Sequence, residues 1–136
     1  MDDIRCLLPR HKSDVERAKT LANLGYPAVA PILPELVEWL QDMNWPVAPV
    51  VLSILIPIGI PLVPLIRDVL EADDEIWKYW VLTVLIPQSP PLYEALRERV
   101  RQIAMITPCS EEEVTVQEAA LKVLERYGDA PAAGAG

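Results

Sequence analysis

The sequence is poor in the residues from which metal sites and nucleophilic sites are usually built. It has one histidine, His11, and two cysteines, Cys6 and Cys109, in 136 residues. Their spacing matches no zinc motif, and the five glycines are too scattered for a phosphate-binding loop. Cys6 and His11 could form a nucleophile–base pair, but the sequence supplies no third group to orient it. We therefore expect two free thiols and no cofactor.

Positive charge is also scarce, since 12 Lys and Arg residues stand against 20 Asp and Glu residues, a net charge of −8. This balance excludes the basic surface that nucleic-acid-binding proteins carry. The N-terminus begins with acidic residues and lacks the apolar segment of a secretory signal. Free thiols are usual in a reducing compartment. The sequence therefore predicts a cytoplasmic protein that binds no nucleic acid.

One stretch, 43–66, contains no charged residue and is long enough to cross a bilayer. It holds five prolines, however, and Pro-Ile-Gly-Ile-Pro at 57–61 is typical of a turn between two helices. The corresponding stretch thirty residues later contains Glu75 and Lys78. We therefore expect no interaction with a membrane.

Apolar residues, which make up 51% of the chain, recur with a period of thirty residues. Three sets mark a first helix in each repeat: Ile32, Leu36 and Leu40; Leu62, Ile66 and Leu70; Leu92, Leu96 and Val100. Three further sets, the last after an insertion at 106–113, mark a second helix: Val47, Val50, Val51, Ile54 and Leu55; Trp77, Trp80, Val81, Val84 and Leu85; Val116, Ala119, Ala120, Val123 and Leu124. Such spacing is one face of an α-helix, and its repetition is typical of a solenoid. The sequence predicts an all-α protein of short helical hairpins stacked as a compact HEAT-like solenoid.

Local signals place several helix ends. Ser13 and Glu16 have the spacing of a capping box, which predicts a helix from about Asp14 to Leu24 that Gly25 ends. Pro34 suits a first helical turn, and the helix it opens should end near Gln41. The length predicts one domain, which we place at residues 1–128, followed by a flexible tail of small residues at 129–136.

The bends between the helices of a hairpin hold most of the tryptophans and several charged residues. Trp77 and Trp80 fall in the core register, so packing explains them. Other aromatic and polar residues at the bends suit a recognition surface. The hypothetical partner-binding residues are Asp42, Asn44, Trp45, Asp74, Lys78 and Tyr79. Asp42 and Asp74 could instead form a carboxylate pair for acid–base chemistry or cation binding. The favoured interpretation of Asp42, Asn44 and Asp74 is that they cap helix starts.

Three motifs carry a resemblance to a known family. They are Leu-Pro-Arg-His-Lys-Ser-Asp at 8–14, Pro-Glu-Leu-Val-Glu-Trp-Leu-Gln-Asp-Met-Asn-Trp-Pro-Val at 34–47, and Asp-Asp-Glu-Ile-Trp-Lys-Tyr-Trp at 73–80. The chain resembles the bacterial domain of unknown function 5071 family over nearly its whole length. The resemblance implies a compact, HEAT-like, all-helical protein and transfers no catalytic residue. The segment 52–60 is more apolar than such turns usually are, which is compatible with a homodimer that covers it.

These observations favour a non-catalytic helical-repeat protein that binds another protein or a peptide, because solenoids present continuous binding surfaces. The alternative is a small hydrolase or metal-dependent enzyme that uses the acidic residues at the bends. That alternative needs Asp42 and Asp74 to converge to within about 5–9 Å, as paired-carboxylate chemistry requires. Capping requires instead that each carboxylate bonds the N-terminus of its own helix.

Overall fold

Helices form all the regular secondary structure in residues 4–130, the part of the chain that the computed structural model describes. The seven α-helices of this part are α1 (Val15–Leu24), α2 (Leu33–Glu38), α3 (Val47–Leu55), α4 (Val63–Glu71), α5 (Glu75–Trp80), α6 (Pro90–Ala104) and α7 (Glu111–Arg126). Short 3₁₀ turns stand between them, at Ile4–Leu7, Ala30–Ile32, Trp39–Gln41, Ile60–Leu62 and Ile86–Gln88. A π-helical turn, Val81–Leu85, continues α5 without a break. The all-α prediction is confirmed for these residues.

Prolines mark the helix starts with the period of the sequence. Pro34 and Pro64 each lie in the first turn of a helix, α2 and α4, where the missing N–H would have no partner in any case. Each of these helices directly follows a 3₁₀ turn that itself contains a proline, Pro31 or Pro61. The predicted helix that Pro34 opens is confirmed, and its last turn, Trp39–Gln41, is of the 3₁₀ type.

The predicted apolar register identifies most of the core. All nine first-helix positions are at most 1% exposed. Of the fifteen second-helix positions, eleven are buried, and four are half-buried: Val50, Trp77, Trp80 and Val84. A single apolar cluster runs from Ala18 in α1 to Leu124 in α7. The core prediction is wrong for Trp80, which lies on a flank of α5 that faces a surface groove.

The helix contacts form two series. In the first, α2 contacts α4 and α4 contacts α6. In the second, α1 contacts α3, α3 contacts the π-helical turn, and α5 with that turn contacts α7. The two series meet because α2 contacts α3, α4 contacts α5 and α6 contacts α7. Each α-helix from α2 to α7 therefore contacts helices of both series. The first helix, α1, lies at the end of the second series.

The start of α1 departs from the sequence prediction. Asp14, not Ser13, is the N-cap residue, and it makes no side-chain capping bond. Its carboxylate turns back to the preceding loop and accepts a hydrogen bond from the Arg10 backbone N–H at 3.0 Å, which lowers the pKa of Asp14. The capping box at Ser13 is therefore wrong. Gly25, with φ of 65°, ends the helix as predicted, and its N–H donates to the Leu21 carbonyl at 2.9 Å.

Contacts between α6 and the segment after α7 hold the C-terminal end of the described chain. The rings of Tyr93 and Tyr127 stack with centroids 3.9 Å apart. The Tyr127 hydroxyl donates to the Ile86 carbonyl at 2.9 Å, and the Tyr93 hydroxyl donates to the Asp129 carboxylate. Burial, aided by this bond to Asp129, raises the pKa of Tyr93. Of the predicted tail, residues 131–136 lie outside the described residues.

The uncharged stretch 43–66 is bent as predicted. Within residues 4–130, no single helix is both long and apolar enough to cross a membrane; α3 and the segment Ile60–Glu71 satisfy that test only as a pair, bent by 118°. Gly59, with φ of 72°, lies between them. A side chain there would be strained because left-handed backbone favours glycine.

Candidate functional site

The six residues predicted to bind a partner do not share one depression. Tyr79 lines a groove between α5 and α7, which we call the aromatic groove; it is lined by Glu75, Ile76, Tyr79, Trp80, Glu112 and Thr115. Trp45 lines a cleft beside α2, which we call the tryptophan cleft; it is lined by Leu8, Pro9, Glu35, Glu38, Trp39, Gln41 and Trp45. Lys78 lines a third, more charged cleft with residues of α6 and α7.

The remaining predicted residues serve the backbone of their own turns. Asp74 is the N-cap of α5, and its carboxylate accepts a hydrogen bond from the Trp77 N–H at 3.0 Å. The Asp42 carboxylate accepts from the Asn44 N–H at 2.8 Å, within the turn that precedes α3. Capping by Asp74 is confirmed. Capping of a helix start by Asp42 or Asn44 is wrong, because Pro46 is the N-cap of α3 and no side chain bonds that helix start.

The aromatic groove exposes apolar side chains of α5. Ile76, Tyr79 and Trp80 are spaced i, i+3 and i+4, so they project from one face of the helix. Ile76 is 61% exposed, and the rings of Tyr79 and Trp80 meet edge to face with centroids 5.0 Å apart. The groove has a volume of about 170 Å³ and carries Glu75 and Glu112 at its rim. It presents an apolar floor with acidic edges.

Sequence reasoning missed Ile76 and Glu112 as residues of this site. Ile76 directly precedes the five-position face that begins at Trp77, so it lies off the core register. That was the available signal, since a large apolar residue outside the core face of a helix remains exposed unless another element covers it. Glu112 comes from the first turn of α7 and meets α5 only through the contact between the two helices.

The tryptophan cleft joins two perpendicular rings to two carboxylates. The rings of Trp39 and Trp45 are 5.7 Å apart between centroids, with an angle of 80° between their planes. Glu35 and Glu38 lie one turn apart on α2 and line the same cleft, whose volume is about 330 Å³. The Glu35 Oε1 atom is 3.8 Å from the Arg5 Nε atom, whereas the Oε2 atom is buried without a hydrogen-bond partner.

The charged cleft is explained by contacts within the chain. The Lys78 Nζ atom pairs with the Glu75 Oε1 atom at 2.9 Å. The Arg99 guanidinium donates to the Leu70 carbonyl near the end of α4 at 3.2 Å and to the Gln102 side chain at 3.1 Å. Arginine in this position satisfies a carbonyl that the helix leaves unpaired. Lys78 therefore forms an ion pair within α5, and Arg99 connects α6 to the end of α4.

Residues suited to metal binding are dispersed. Within residues 4–130, no three His, Cys, Asp or Glu side chains come together as a metal site would require. Cys6 and Cys109 are both free and exposed, as the sequence predicted. The exposed His11 ring uses its Nδ1 atom to accept a hydrogen bond from the Ser13 N–H at 3.2 Å. That bond belongs to the loop before α1.

Comparison with known proteins identifies one family. A family model described as "Domain of unknown function (DUF5071)" matches residues 7–124. A search of curated proteins gives no match. The matched region contains the three motifs on which the resemblance rested, and it includes every residue of the aromatic groove and of the tryptophan cleft.

Proposed function

The chain belongs to the DUF5071 family, and we propose that it acts by binding another protein or a peptide rather than by catalysis. In this proposal the helices form stacked hairpins of the HEAT-like type. The pairing of α2 with α3, α4 with α5 and α6 with α7, and the succession of contacts along each series, support that arrangement. Stacked hairpins present an extended surface on which a partner segment can lie.

The observation that carries the proposal is the exposure of Ile76 beside the Tyr79 and Trp80 rings. Full burial of such a side chain is worth about 1.5–3 kcal/mol, and Ile76, which is 61% exposed, gains only part of that free energy. Contact with a partner would recover the rest. Aromatic residues flanked by polar groups are also the usual composition of a binding hot spot. The aromatic groove is therefore the proposed centre of partner binding.

The rim of the groove indicates the chemistry of the partner. Glu112 lines the groove beside its apolar side chains, whereas the Glu75 carboxylate is already paired with Lys78, and the whole chain has a net charge of −8. Electrostatic complementarity raises the rate at which a basic partner associates and disfavours an acidic one. The partner that fits is a segment with apolar side chains flanked by lysine or arginine.

The hydrolase alternative receives no comparable support. It requires two carboxylates aimed at a shared substrate. Asp74 accepts from the Trp77 N–H and Asp42 accepts from the Asn44 N–H, so each carboxylate bonds the backbone of its own turn. Asp74 thereby caps α5 and Asp42 closes the turn before α3, so a backbone N–H already occupies one oxygen of each carboxylate.

Ile76→Asp tests the proposal in an affinity purification from the cells that produce the protein. Ile60→Asp is the matched control, since Ile60 is 58% exposed and does not line the groove. Both changes place a carboxylate on an exposed position, so both should leave the fold intact by circular dichroism. We expect the proteins that co-purify with the wild type to be retained by Ile60→Asp and lost by Ile76→Asp.

The affinity of each co-purified protein should then be measured directly with the purified components. A hot-spot change of at least about 2 kcal/mol corresponds to a 30-fold loss or more. Equal affinity for wild type and Ile76→Asp would remove the aromatic groove from the binding surface. If no protein co-purifies with the folded wild type, that result would count against partner binding itself.

A further inference from the structure

We infer that the tryptophan cleft receives the cationic side chain of an arginine or lysine in a partner polypeptide. The inference rests on the proposed function, because it assigns a second contact to the same kind of partner. Nothing in the sequence analysis singled out this pairing of aromatic rings with carboxylates. Trp45 was expected to contribute to binding, but its ring partner Trp39 and the two glutamates of α2 were not.

The shape of the cleft supplies the first argument. Trp39 and Trp45 meet at 80°, so their two ring planes form two walls of a corner. The face of a tryptophan ring attracts a cation through its quadrupole, and tryptophan is the strongest of the aromatic residues in this respect. The cleft volume of about 330 Å³ also exceeds that of the aromatic groove, so it has room for a long side chain.

The carboxylates supply the second argument. Glu35 and Glu38 line the cleft beside the two rings. The Glu35 Oε1 atom is 3.8 Å from the Arg5 guanidinium and its Oε2 atom is buried, so Glu35 adds negative charge to the wall of the cleft rather than an open acceptor. Glu38 is exposed and makes no ion pair with any residue in the part of the chain that the structure describes. A guanidinium or ammonium group in the cleft would donate to the Glu38 carboxylate while it lies against a ring face.

The cleft also has an apolar side that suits the stem of such a side chain. Leu8 and Pro9 line it opposite the acidic helix, and both come from the segment that precedes α1. Lysine and arginine cover apolar surface with their methylene groups while the charged head bonds elsewhere. The combination of stem, ring and carboxylate contacts favours a long cationic side chain over a small inorganic cation.

Nuclear magnetic resonance of the tryptophan indole N–H groups tests the inference. The probes are Nα-acetyl-arginine amide and Nα-acetyl-lysine amide, with Nα-acetyl-citrulline amide as the uncharged counterpart of arginine. We expect both charged probes to shift the Trp39 and Trp45 resonances saturably and citrulline to leave them unchanged. The Trp77 indole, which donates to the Val37 carbonyl at 3.2 Å, is the internal control and should not move.

Glu38→Gln removes one exposed carboxylate and should weaken arginine binding about twofold to fivefold, as expected for the loss of one exposed ion pair. Glu118→Gln, on exposed α7 surface outside the cleft, is the matched control and should bind as the wild type does. Unshifted Trp39 and Trp45 resonances, an equal response to citrulline, or full affinity in Glu38→Gln would each overturn the inference. A response to tetramethylammonium without one to arginine or lysine would also overturn it, in favour of a small quaternary ammonium ligand.

The two proposals fail separately. If Ile76→Asp no longer binds the partner and the Trp39 and Trp45 resonances do not respond to the arginine and lysine probes, the proposed function stands and the cationic subsite does not. If the cleft binds arginine while Ile76→Asp keeps the partner at full affinity, the subsite stands and the aromatic groove does not carry binding. Both readouts use the full chain.

Discussion

Trp77 and Trp80 lie one turn apart at the end of α5 and have different surroundings. The Trp77 ring packs against the core, and its indole N–H donates to the Val37 carbonyl at 3.2 Å. Trp80 lies on the flank of α5 that lines the aromatic groove, where its ring meets Tyr79. The apolar register assigned both residues to the core, and only Trp77 has the contacts of a core residue.

We expect Trp77→Ala to destabilise the protein far more than Trp80→Ala. Trp77 is also half-buried, but it packs against the core, where removing a tryptophan costs up to about 3–5 kcal/mol, and the Val37 carbonyl would lose the indole donor. Removing the half-buried Trp80 should cost about 1 kcal/mol, the typical value for a point mutation. Urea titration of both variants measures the difference. A loss for Trp80→Ala that equals or exceeds the loss for Trp77→Ala would place Trp80 in the core after all.

At the residue scale, periodicity predicted burial well where the helix is regular. Positions such as Leu36, Ile66 and Leu96 are at most 1% exposed because each lies on the apolar face of an α-helix. Trp80 and Val84 stand on either side of the point where α5 becomes a π-helical turn at Val81. The π-helical turn does not account for the misses, because Trp80 precedes it and the predicted positions Val81 and Leu85 within it are fully buried.

At the scale of single elements, α5 is the helix that most depends on its cap. It has only six residues before the π-helical turn, which is too short for a helix to be stable by its own hydrogen bonds. Asp74 satisfies one of its unpaired N–H groups, and Glu75 places further negative charge in its first turn. Ile76, Tyr79 and Trp80 of the aromatic groove all project from this one helix.

Asp74→Ala should therefore destabilise the protein by about 1 kcal/mol, the usual effect of losing an N-cap side chain. Asp73→Ala is a close control, because it removes the same charge from the adjacent exposed position without removing a cap. We expect its effect to be a few tenths of a kcal/mol, as for an ordinary surface change. Thermal melting followed by circular dichroism compares the two. Equal effects would mean that charge near the helix start matters and that the hydrogen bond does not.

Helix ends were predictable where one residue type decides the backbone. Gly25 and Pro34 act through their own backbone geometry, and both ends lie where the sequence placed them. The capping box predicted at Ser13 does not form, because polar groups of the loop before α1 bond one another instead. The Asp14 carboxylate accepts a hydrogen bond from the Arg10 N–H, and the Ser13 N–H donates to the His11 Nδ1 atom. Ser110 does cap α7, and its hydroxyl oxygen accepts from the Glu113 N–H at 3.1 Å.

At the scale of the whole molecule, one apolar cluster connects the first described α-helix to the last. Both contact series contribute to it, so no group of helices has a core of its own. Cooperative unfolding is the usual behaviour of such small single-core domains. We therefore expect the α1–α3 region and the α6–α7 region to unfold together.

Matched Ile→Val changes at the two ends test this cooperativity. Ile32→Val lies in the 3₁₀ turn before α2, and Ile103→Val lies near the end of α6. Each should cost about 0.5–1.5 kcal/mol and lower the midpoint of the same urea transition. Tryptophan fluorescence and far-ultraviolet circular dichroism should report that transition at one midpoint. Two transitions, each moved by only one variant, would show that the ends unfold independently.

The sequence was least informative about surfaces that several segments build together. The tryptophan cleft combines Leu8 and Pro9 with residues from α2 and from both sides of the following bend. Periodicity identifies which face of each helix is buried, but it carries no information on which distant segment covers the remaining faces. The hypothesis of one bend surface therefore named Trp45 and Tyr79 without predicting that they line different depressions.

The nearly perpendicular contact between Trp39 and Trp45 provides an intrinsic circular dichroism signal for the tryptophan cleft. Two identical chromophores at 5.7 Å whose planes cross at 80° exchange excitation, and their coupled transitions produce a paired signal of opposite signs in circular dichroism. The size of that signal depends on the distance and angle between the rings. A ligand that enters the cleft and tilts either ring would therefore change the circular dichroism spectrum. Binding to the cleft could then be followed without a label.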